Sequence, residues 1–579
     1  MERNLFLKKE TLLNTSSIKF ITAIIAALIL ALSAPAFSQD RSGEILQQLE
    51  RKELIPEKIP EEPPVIEKEE KPKVEVKDGE KILVKQFTVQ GITLLGEEII
   101  NAIITPHQNK ELTLREISAV GEAITNEYRK RGYIIAYAYI PAQDIKDGIV
   151  GIKVIEGKVG DILVIGNRHY STGFIQKHLE KTRKDPSLKE QALERQLLIL
   201  NDNPSLNVKT SLKAGKEPAT ADIIASAQDE FPISGSITYD NFGSATISKH
   251  RAGINLNIGN LVTSGDYLMF RGLTGLDRID IDKLSYGRLE YLIPIDYNGT
   301  KLGLYYANSI YEAGEQYTIL NIHGKAHVAG LYAIHPLIRQ RDKTLSIRAG
   351  FEYKDVYDYM LDSLRSKDNI RVFNASINYD FFDALQGRNI IGLTYYQGIR
   401  DLFGGNASND SDSSRLNADG QFSKYTLDLV RVQRITDYSH IILRGSGQIS
   451  GDALFSAEQF YIGGIGTVRG FKPSLYGGDS GYLLGAELHI SPIFPEKKIL
   501  DRKIGDAIKL VLFADHGGVY RNDVQAGENK DDYLTSIGAG IRLYEGKYLS
   551  LRMDWAVPEI KGKFNTGNSM TYMQATMSF

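Results

Sequence analysis

The stretch GGIGTVRGF, from Gly463 to Phe471, has the composition of a phosphate-binding loop, with glycines around a short spacer and one arginine. Such a loop follows a strand and opens a helix whose N-terminus faces the phosphates. Here FYIGG precedes the stretch and KPSLYGGDSGY follows it, with Pro473, no helical pattern and no Lys-Ser/Thr pair. We therefore predict no nucleotide binding, and we expect the glycines to permit tight backbone turns.

Arg469 needs a counter-charge if this stretch lies in a narrow interior, because an unpaired buried charge is costly. The later segment IKLVLFADHGG supplies Asp515, which strand alternation places on the inward face. We predict that the loop folds inward and that Arg469 pairs with Asp515. Val468 belongs to the same loop motif. We expect Gly470 and Gly517 to permit close approach beside the pair, and Phe471 and Phe513 to pack against it.

The simpler interpretation of Arg469 is a solvated loop arginine. Exchanging the charges, Arg469→Asp with Asp515→Arg, is the test that the sequence suggests, since a true pair should recover in the double variant. Glu487 on the neighbouring strand also points inward and is a possible further charge of the interior. A lone inward His489 is better explained as a satisfied polar residue than as a ligand.

No residue pattern in the chain predicts catalysis. The 579 residues include 10 scattered histidines and no cysteine, which excludes a thiol nucleophile, a disulfide frame and a thiolate metal site. We find no histidine cluster, no Ser–His–Asp arrangement and no paired carboxylates at a defensible spacing. The net charge of −3, from 69 basic and 72 acidic residues, gives no general attraction to nucleic acid. We predict a non-enzyme without metal or cofactor.

From about residue 231 to the C-terminus the hydrophobic pattern has a period of two. In YLSLRMDWAV, for example, Leu549 and Leu551 alternate with Ser550 and Arg552. A secreted sandwich also alternates, but sixteen segments of about ten residues, alternating short and long connections, and a terminal Phe579 favour a 16-stranded antiparallel transmembrane β-barrel. The predicted strands begin near 234, 250, 266, 284, 301, 322, 344, 370, 389, 422, 440, 481, 508, 535, 548 and 570.

The N-terminus predicts secretion from the cytoplasm. Lysines precede the apolar run FITAIIAALILALSAPA, and small residues follow it, so residues 1–38 are a signal peptide cleaved after Ser38 or, as a second choice, Ala36. An uncleaved membrane anchor is the alternative. Residues 39–54 show helical spacing and predict a short amphipathic helix. Residues 55–80, rich in Pro, Glu and Lys, predict an extended linker.

Residues 81–230 contain one pattern twice. A strand, two helices and two strands follow each other in 81–157 and again in 158–230. Each copy predicts a small α+β module. In the helix TLREISAVGEAITNEY the apolar Ile117, Val120 and Ile124 share one face, which we assign to the core of the module.

The combination of VRGF in a late loop with FADHG on a following strand resembles the outer-membrane insertase and translocase superfamily. Within it, the stretches 128–167, 197–223 and 237–244 resemble two-partner secretion transporters of the TpsB type, the ShlB/FhaC/HecB-like haemolysin secretion/activation proteins. The resemblance covers nearly the whole mature chain. It implies two POTRA domains, a plug-like helix, and docking of the loop arginine on the strand aspartate. Phe471 departs from the tyrosine of many relatives, and the linker is long and charged.

The resemblance implies export of one large exoprotein, a TpsA-like haemolysin or adhesin, which binds the periplasmic POTRA domains and crosses the barrel without ATP. The implied partners also include outer-membrane lipid and the barrel assembly machinery, with no nucleic acid, and a monomer is expected. The alternative is an outer-membrane assembly factor that inserts other barrels, although such factors in the superfamily carry three or five POTRA domains. A passive porin would not need the modules, and the chain has no room for a fused hydrolase.

Overall fold

The computed structural model describes residues 42–50, 81–278, 283–408, 410–492, 496–499, 502–546 and 548–579. Its main body is a closed antiparallel barrel of sixteen long strands, which confirms the predicted fold class. In chain order the strands are Ile233–Asp240, Arg251–Gly259, Tyr267–Gly275, Leu284–Pro294, Lys301–Glu312, His323–Arg339, Lys343–Met360, Ser363–Phe382, Arg388–Gly398, Ser423–Thr436, Ser439–Ser450, Ser480–Ile490, Ile508–Tyr520, Asp531–Glu545, Leu549–Ile560 and Met570–Ser578. The last strand pairs with the first, which closes the barrel.

Side chains alternate between the two faces of the barrel wall. On the thirteenth strand Leu510 and Leu512 are exposed on the outside, while Val511 and Phe513 are buried inside. This alternation gives the wall an apolar outer band suited to lipid and leaves the interior for polar groups. No helix among the described residues is long and apolar enough to cross a membrane.

The predicted strand starts agree with the observed ones within one residue, except for the eighth and fourteenth strands. These begin at Ser363 and Asp531, earlier than the predicted 370 and 535. The additional residues of the eighth strand, SLRSKDN, are mostly polar and extend the hairpin beyond the apolar band. A polar extension has no hydrophobic alternation, so the periodicity could not reveal it.

Two small α+β modules precede the barrel and share one topology. In the first, strand Gln86–Gln90 is parallel to Ile149–Ile155, which is antiparallel to Tyr137–Tyr139. Its other elements are Ile82–Val84, Glu97–Ile104, Lys110–Leu112 and Leu114–Lys130. In the second, strand Lys158–Ile165 is parallel to Thr220–Asp229, which is antiparallel to Leu206–Ala214. Its helices are Thr172–Glu180 and Glu190–Asn201.

The helix Leu114–Lys130 illustrates why these segments fold as they do. Thr113 and Glu116 form a capping box that satisfies the first free N–H groups of the helix. The predicted apolar face, Ile117, Val120 and Ile124, is fully buried against the sheet. Local capping and tertiary burial therefore both stabilise the same helix.

The second module docks on the turns at one end of the barrel. Arg195 donates to the backbone carbonyls of Pro336 and Asn298, at 2.6 and 3.2 Å. Arg339 forms two hydrogen bonds with Asp202, at 2.6 and 3.0 Å. These contacts hold the module at the barrel end opposite the long loops.

His178 in the second module titrates abnormally because it is buried. Its ring lies edge-on between Phe174 and Tyr297, a residue of the turn after the fourth barrel strand, and Nδ1 lies 3.2 Å from the Gln196 amide. Burial lowers the pKa of His178 to about 4. The unfolded chain, with a histidine pKa of about 6.5, therefore takes up a proton first as the pH falls. The stabilisation from neutral His178 is complete above about pH 6.5 and is lost toward about pH 4.

We expect the second module to lose about 2 kcal/mol of stability between pH 7.5 and pH 5 from this residue alone. The measurement is urea unfolding of the full-length protein in detergent, followed by limited proteolysis of the second module at both pH values. His178→Gln should remove this part of the pH dependence, whereas the control His169→Gln, at an exposed histidine of the same module, should keep it. An unchanged pH dependence in His178→Gln would contradict the assignment.

The remaining described elements are short. They include the N-terminal helix Ser42–Glu50, the loop strands Phe460–Ile462 and Tyr476–Gly478, the helix Ile504–Ala507, and the two-residue strands Lys498–Ile499, Arg502–Lys503 and Lys563–Phe564. The predicted signal peptide, 1–38, and the linker, 55–80, lie outside the described residues, as do both ends of the helix predicted over 39–54.

Candidate functional site inside the barrel

The long loop between the eleventh and twelfth strands, residues 451–479, folds into the barrel interior. We call it the inner loop. Its tip carries Val468 and Arg469, which are both fully buried, and its stem is the two-stranded sheet Phe460–Ile462 with Tyr476–Gly478. The glycine-rich stretch runs between these two strands as turns, without a helix. Its geometry is therefore not that of a phosphate-binding loop.

Arg469 and Asp515 lie together, fully buried on the inner side of the barrel wall. The arginine Nε donates to Asp515 Oδ2 at 2.7 Å, and Nη2 donates to Oδ1 at 2.9 Å. The backbone N–H of Arg469 also reaches Oδ2, at 3.3 Å. This two-pronged geometry fixes both the position and the orientation of the loop tip, which a single ammonium group could not do.

Two further carboxylates and one ring complete the surroundings of Arg469. Its Nη1 lies 2.7 Å from Glu487 Oε1 and 3.5 Å from Asp554 Oδ2. The guanidinium carbon lies 3.5 Å from the centre of the Phe513 ring, a cation–π contact. One loop side chain therefore contacts the twelfth, thirteenth and fifteenth strands.

Arginines from the wall balance the three carboxylates. Arg444 Nη2 lies 2.8 Å from Asp515 Oδ1, while Arg542 and Arg552 pair with Asp554. The environment of the pair is thus asymmetric, with acids around the arginine and Arg444 beside the aspartate. The proposed charge exchange would place aspartate near two acids and arginine near Arg444. We therefore no longer expect recovery in that double variant, even though the pair is present, because like charges would meet on both sides.

The other motif residues shape the backbone around the pair. Gly470 has a φ of +87°, and its N–H donates to the Tyr572 hydroxyl at 3.0 Å. A Cβ on Gly517 would lie 3.2 Å from Val468, so glycine permits the close approach there. Phe471 packs against the apolar cluster that includes Phe460 and Val468.

A second ion cluster anchors the inner loop at another point. Glu458, 1 % exposed, lies 2.8 Å from Lys354 Nζ and 2.7 Å from Lys424 Nζ, and Lys354 also contacts Glu352 at 2.9 Å. Sequence reasoning missed this cluster. Strand alternation places both lysines on inward faces, but nothing in the sequence marks Glu458 as their partner.

The N-terminal helix, Ser42–Glu50, lies inside the barrel beside the inner loop. Its apolar residues Ile45, Leu46 and Leu49 are buried in one cluster with tyrosines of the fourth, fifth and sixth strands. The helix touches the inner loop directly, because Gln48 donates to Ser474 Oγ at 2.8 Å. The lumen therefore holds two segments, each in contact with the barrel wall and with the other.

Each end of this helix has a charged contact with the barrel wall. At its start the Ser42 N–H donates to Asp358 Oδ1 at 2.8 Å, which suits the positive end of the helix dipole. At its end Glu50 lies 3.1 Å from Arg288, whose guanidinium lies 3.8 Å from the centre of the Tyr305 ring. These contacts are polar and exchangeable, unlike the backbone bonds of the wall.

The structure offers no metal site in the part of the chain that it describes, since no group of three or more His, Asp or Glu side chains could hold an ion there. His489 Nε2 lies 2.9 Å from Glu487 Oε2. Glu487 thus lies between His489 and Arg469. The interior thus contains ion pairs and a hydrophobic cluster that hold the inner loop and the N-terminal helix.

Comparison with known proteins identifies the family. A family model described as haemolysin secretion/activation protein ShlB/FhaC/HecB matches residues 220–543, more than half of the chain. The chain belongs to this family. A model of the ShlB-type POTRA domain matches residues 82–157, which are the first module. The ShlB/FhaC/HecB proteins are outer-membrane transporters of two-partner secretion and not enzymes, so the barrel lies in the bacterial outer membrane and the POTRA modules lie in the periplasm.

The individual relatives are distant in sequence, and each match covers two thirds or more of both chains. The heme/hemopexin transporter protein HuxB of Haemophilus influenzae is 25% identical over 560 residues, 93% of this chain and 94% of HuxB. The hemolysin transporter protein ShlB of Serratia marcescens is 23% identical, and the match covers 68% of this chain and 70% of ShlB. The solved structure of CdiB from Escherichia coli superposes with a TM-score of 0.69 at 20% identity, covering 88% of this chain and 93% of CdiB.

Proposed function

We propose that the protein binds an unfolded exoprotein in the periplasm through its POTRA domains and passes it through the barrel to the cell surface without ATP. The observation that carries this proposal is the content of the lumen. A short helix and an inner loop occupy it, and both are held by side-chain contacts that can be exchanged for contacts with a passing chain. A passive porin has no need of such segments.

The POTRA domains offer sheet edges that suit an extended client. Strand Lys158–Ile165 of the second module pairs with Thr220–Asp229 on one side, and no other described strand pairs with its second edge. Leu163 and Ile165 are about half exposed on this edge strand. An unfolded chain could add a strand at this edge through backbone hydrogen bonds, which depend little on the client's sequence. Its apolar side chains could then pack against Leu163 and Ile165.

The driving force in this proposal is folding of the exoprotein outside the cell, which prevents its return. The barrel needs no second copy in this scheme, because each closed cylinder has its own lumen, and we expect a monomer that the barrel assembly machinery inserts. Before transport, the N-terminal helix must leave the lumen. Residues 51–80, between the helix and the first module, are long enough to reach the periplasm if extended, at about 3.1 Å per residue.

The test is a comparison of the extracellular proteome with and without the gene. We expect loss of one large secreted protein while the other outer-membrane barrels remain at normal levels. A general loss of barrels would instead support the assembly-factor alternative and contradict export.

The same strain tests the sheet edge. A plasmid copy carrying Leu163→Lys with Ile165→Lys should restore barrel insertion but not secretion, because two charges replace the apolar contacts of the client. A matched control changes Lys209 and Lys213 to Gln on Leu206–Ala214, at the opposite edge of the same sheet. Full secretion with the Leu163 and Ile165 variant would exclude this edge as the client site.

A further inference from the structure

Three residues on the outer wall of the barrel form a basic aromatic patch near the cell surface. Lys325 on the sixth strand is paired across the sheet with Tyr357 on the seventh, and Tyr357 is paired with Lys367 on the eighth. All three belong to the set that faces outward, because Leu331 and Phe373, at even spacing on the same strands, are exposed to the lipid side. We call Lys325, Tyr357 and Lys367 the outer basic patch.

The patch lies above the apolar band, toward the outside of the cell. The second POTRA module docks at the other end of these strands, beside Pro336. Going outward along the seventh strand, the outward side chains change from Ile347 and Phe351 to Tyr353 and Asp355, and then to Tyr357. Tyrosine marks the membrane boundary in such barrels, so the patch lies at the level of the outer-leaflet headgroups.

The two ammonium groups of the patch flank one tyrosine ring. Lys325 Nζ lies 5.4 Å and Lys367 Nζ 5.9 Å from the centre of the Tyr357 ring. No carboxylate of the described residues lies within ion-pair distance of either Nζ. The nearby Asp355 is already paired with Arg371 at 3.0 Å. The patch therefore presents two positive charges, about two strand spacings or roughly 10 Å apart, that lack counter-charges.

An exposed aromatic side chain lies below the patch on the same wall. Phe403, in the turn after the ninth strand, is 71% exposed, although its backbone has a φ of +46°, a conformation that phenylalanine rarely adopts. Its carbonyl accepts from Arg371 at 3.2 Å, and its ring lies 6.4 Å from that of Phe351, on the lipid-facing side. The turn thus holds the Phe403 ring in the lipid, close to the paired Arg371 and below the outer basic patch.

From this arrangement we propose that the outer basic patch binds the phosphate groups of an anionic glycolipid of the outer leaflet, with Phe403 against its acyl chains. A headgroup with two phosphates on linked sugars matches two separated ammonium groups, and each phosphate forms charge-assisted hydrogen bonds with one of them. The side chains of the patch face the lipid side of the wall, away from the inner loop and the N-terminal helix, although the backbone carbonyl of Tyr357 accepts from the Ser42 hydroxyl at 2.9 Å.

The test is native mass spectrometry of the purified full-length protein in detergent, titrated with bisphosphorylated lipid A. We expect a bound lipid whose apparent affinity falls roughly tenfold or more in Lys325→Gln with Lys367→Gln, because two charge-assisted contacts are lost. The control, Lys561→Gln with Lys563→Gln, removes the same charge from the exposed hairpin after the fifteenth strand and should bind like the wild type.

The lipid itself supplies the other controls. Lipid A without phosphates should bind as weakly to the wild type as the bisphosphorylated form binds to the double variant. Equal affinity of the wild type and the Lys325/Lys367 variant, or equal binding of the dephosphorylated lipid, would overturn the proposal. Displacement of the lipid by inorganic phosphate alone, or equal binding of phosphatidylglycerol, would show a general anion site and would also overturn it.

Discussion

Arg469→Ala is expected to reduce secretion of the exoprotein by roughly a hundredfold or more. Removing one member of a buried ion pair costs about 3–5 kcal/mol, because the remaining charges stay buried without compensation. In this barrel the loss removes the cation shared by Asp515 and Glu487 and leaves Arg444 beside Asp515 and His489 beside Glu487. The docked position of the inner loop should therefore lose most of its population. Secretion is measured as exoprotein in the medium per barrel inserted in the outer membrane.

One further variant separates the two-pronged geometry of the arginine from its charge, and another serves as a control. Arg469→Lys keeps the positive charge, but one ammonium group cannot form two hydrogen bonds with Asp515 and also contact Glu487. We therefore expect secretion to fall about tenfold. Arg434→Ala removes an exposed arginine that pairs with Asp437 in a turn and should secrete normally. Wild-type secretion by Arg469→Ala would show that the docked loop is not needed for transport.

Removing residues 42–50 is expected to raise the single-channel conductance of the purified protein several-fold in planar bilayers. The deletion empties the part of the lumen that Ile45, Leu46 and Leu49 occupy in the structure. The inner loop remains in place, because its contacts through Arg469 and Glu458 do not involve the helix. We therefore expect a wider pore that is still partly filled.

A deletion of nine residues from the linker, 61–69, is the matched control, because it shortens the chain equally and leaves the helix sequence intact. Its conductance should equal that of the wild type. Glu50→Gln should give brief openings in the otherwise complete chain, since it breaks the ion pair with Arg288 that holds the end of the helix. A conductance that is unchanged after deletion of residues 42–50 would exclude the helix as a plug.

The barrel was predictable because its signal is repeated. Each of the sixteen strands alternates between the lumen and the lipid, and the lipid requires an apolar residue at every second position. The starts of the eighth and fourteenth strands were missed, because each opens with polar residues that show no hydrophobic alternation. In the modules, the amphipathic helices were readable from spacing, since one buried face dictates the pattern.

The interior was only partly predictable. Arg469 and Asp515 are brought together as the motif resemblance implied, and alternation correctly put Asp515 and Glu487 on inward faces. Alternation also places Arg444, Arg542 and Asp554 inside, yet it cannot say which of these charges meet, because that depends on strand register and on how the loop folds. The sequence therefore could not show that like charges would meet in the charge-exchange variant.

The most direct test of the export proposal uses two adjacent tyrosines of the fifth strand. Tyr305 faces the lumen and is 8% exposed, whereas Tyr306 faces the lipid and is 51% exposed. A photo-crosslinking phenylalanine analogue replaces each tyrosine in turn, in cells in which an exoprotein with a folded C-terminal block is arrested during export. We predict a crosslink to the exoprotein from position 305 and none from position 306. A crosslink from position 306, or none from position 305 while the arrested exoprotein is exposed at the cell surface, would contradict passage through the barrel.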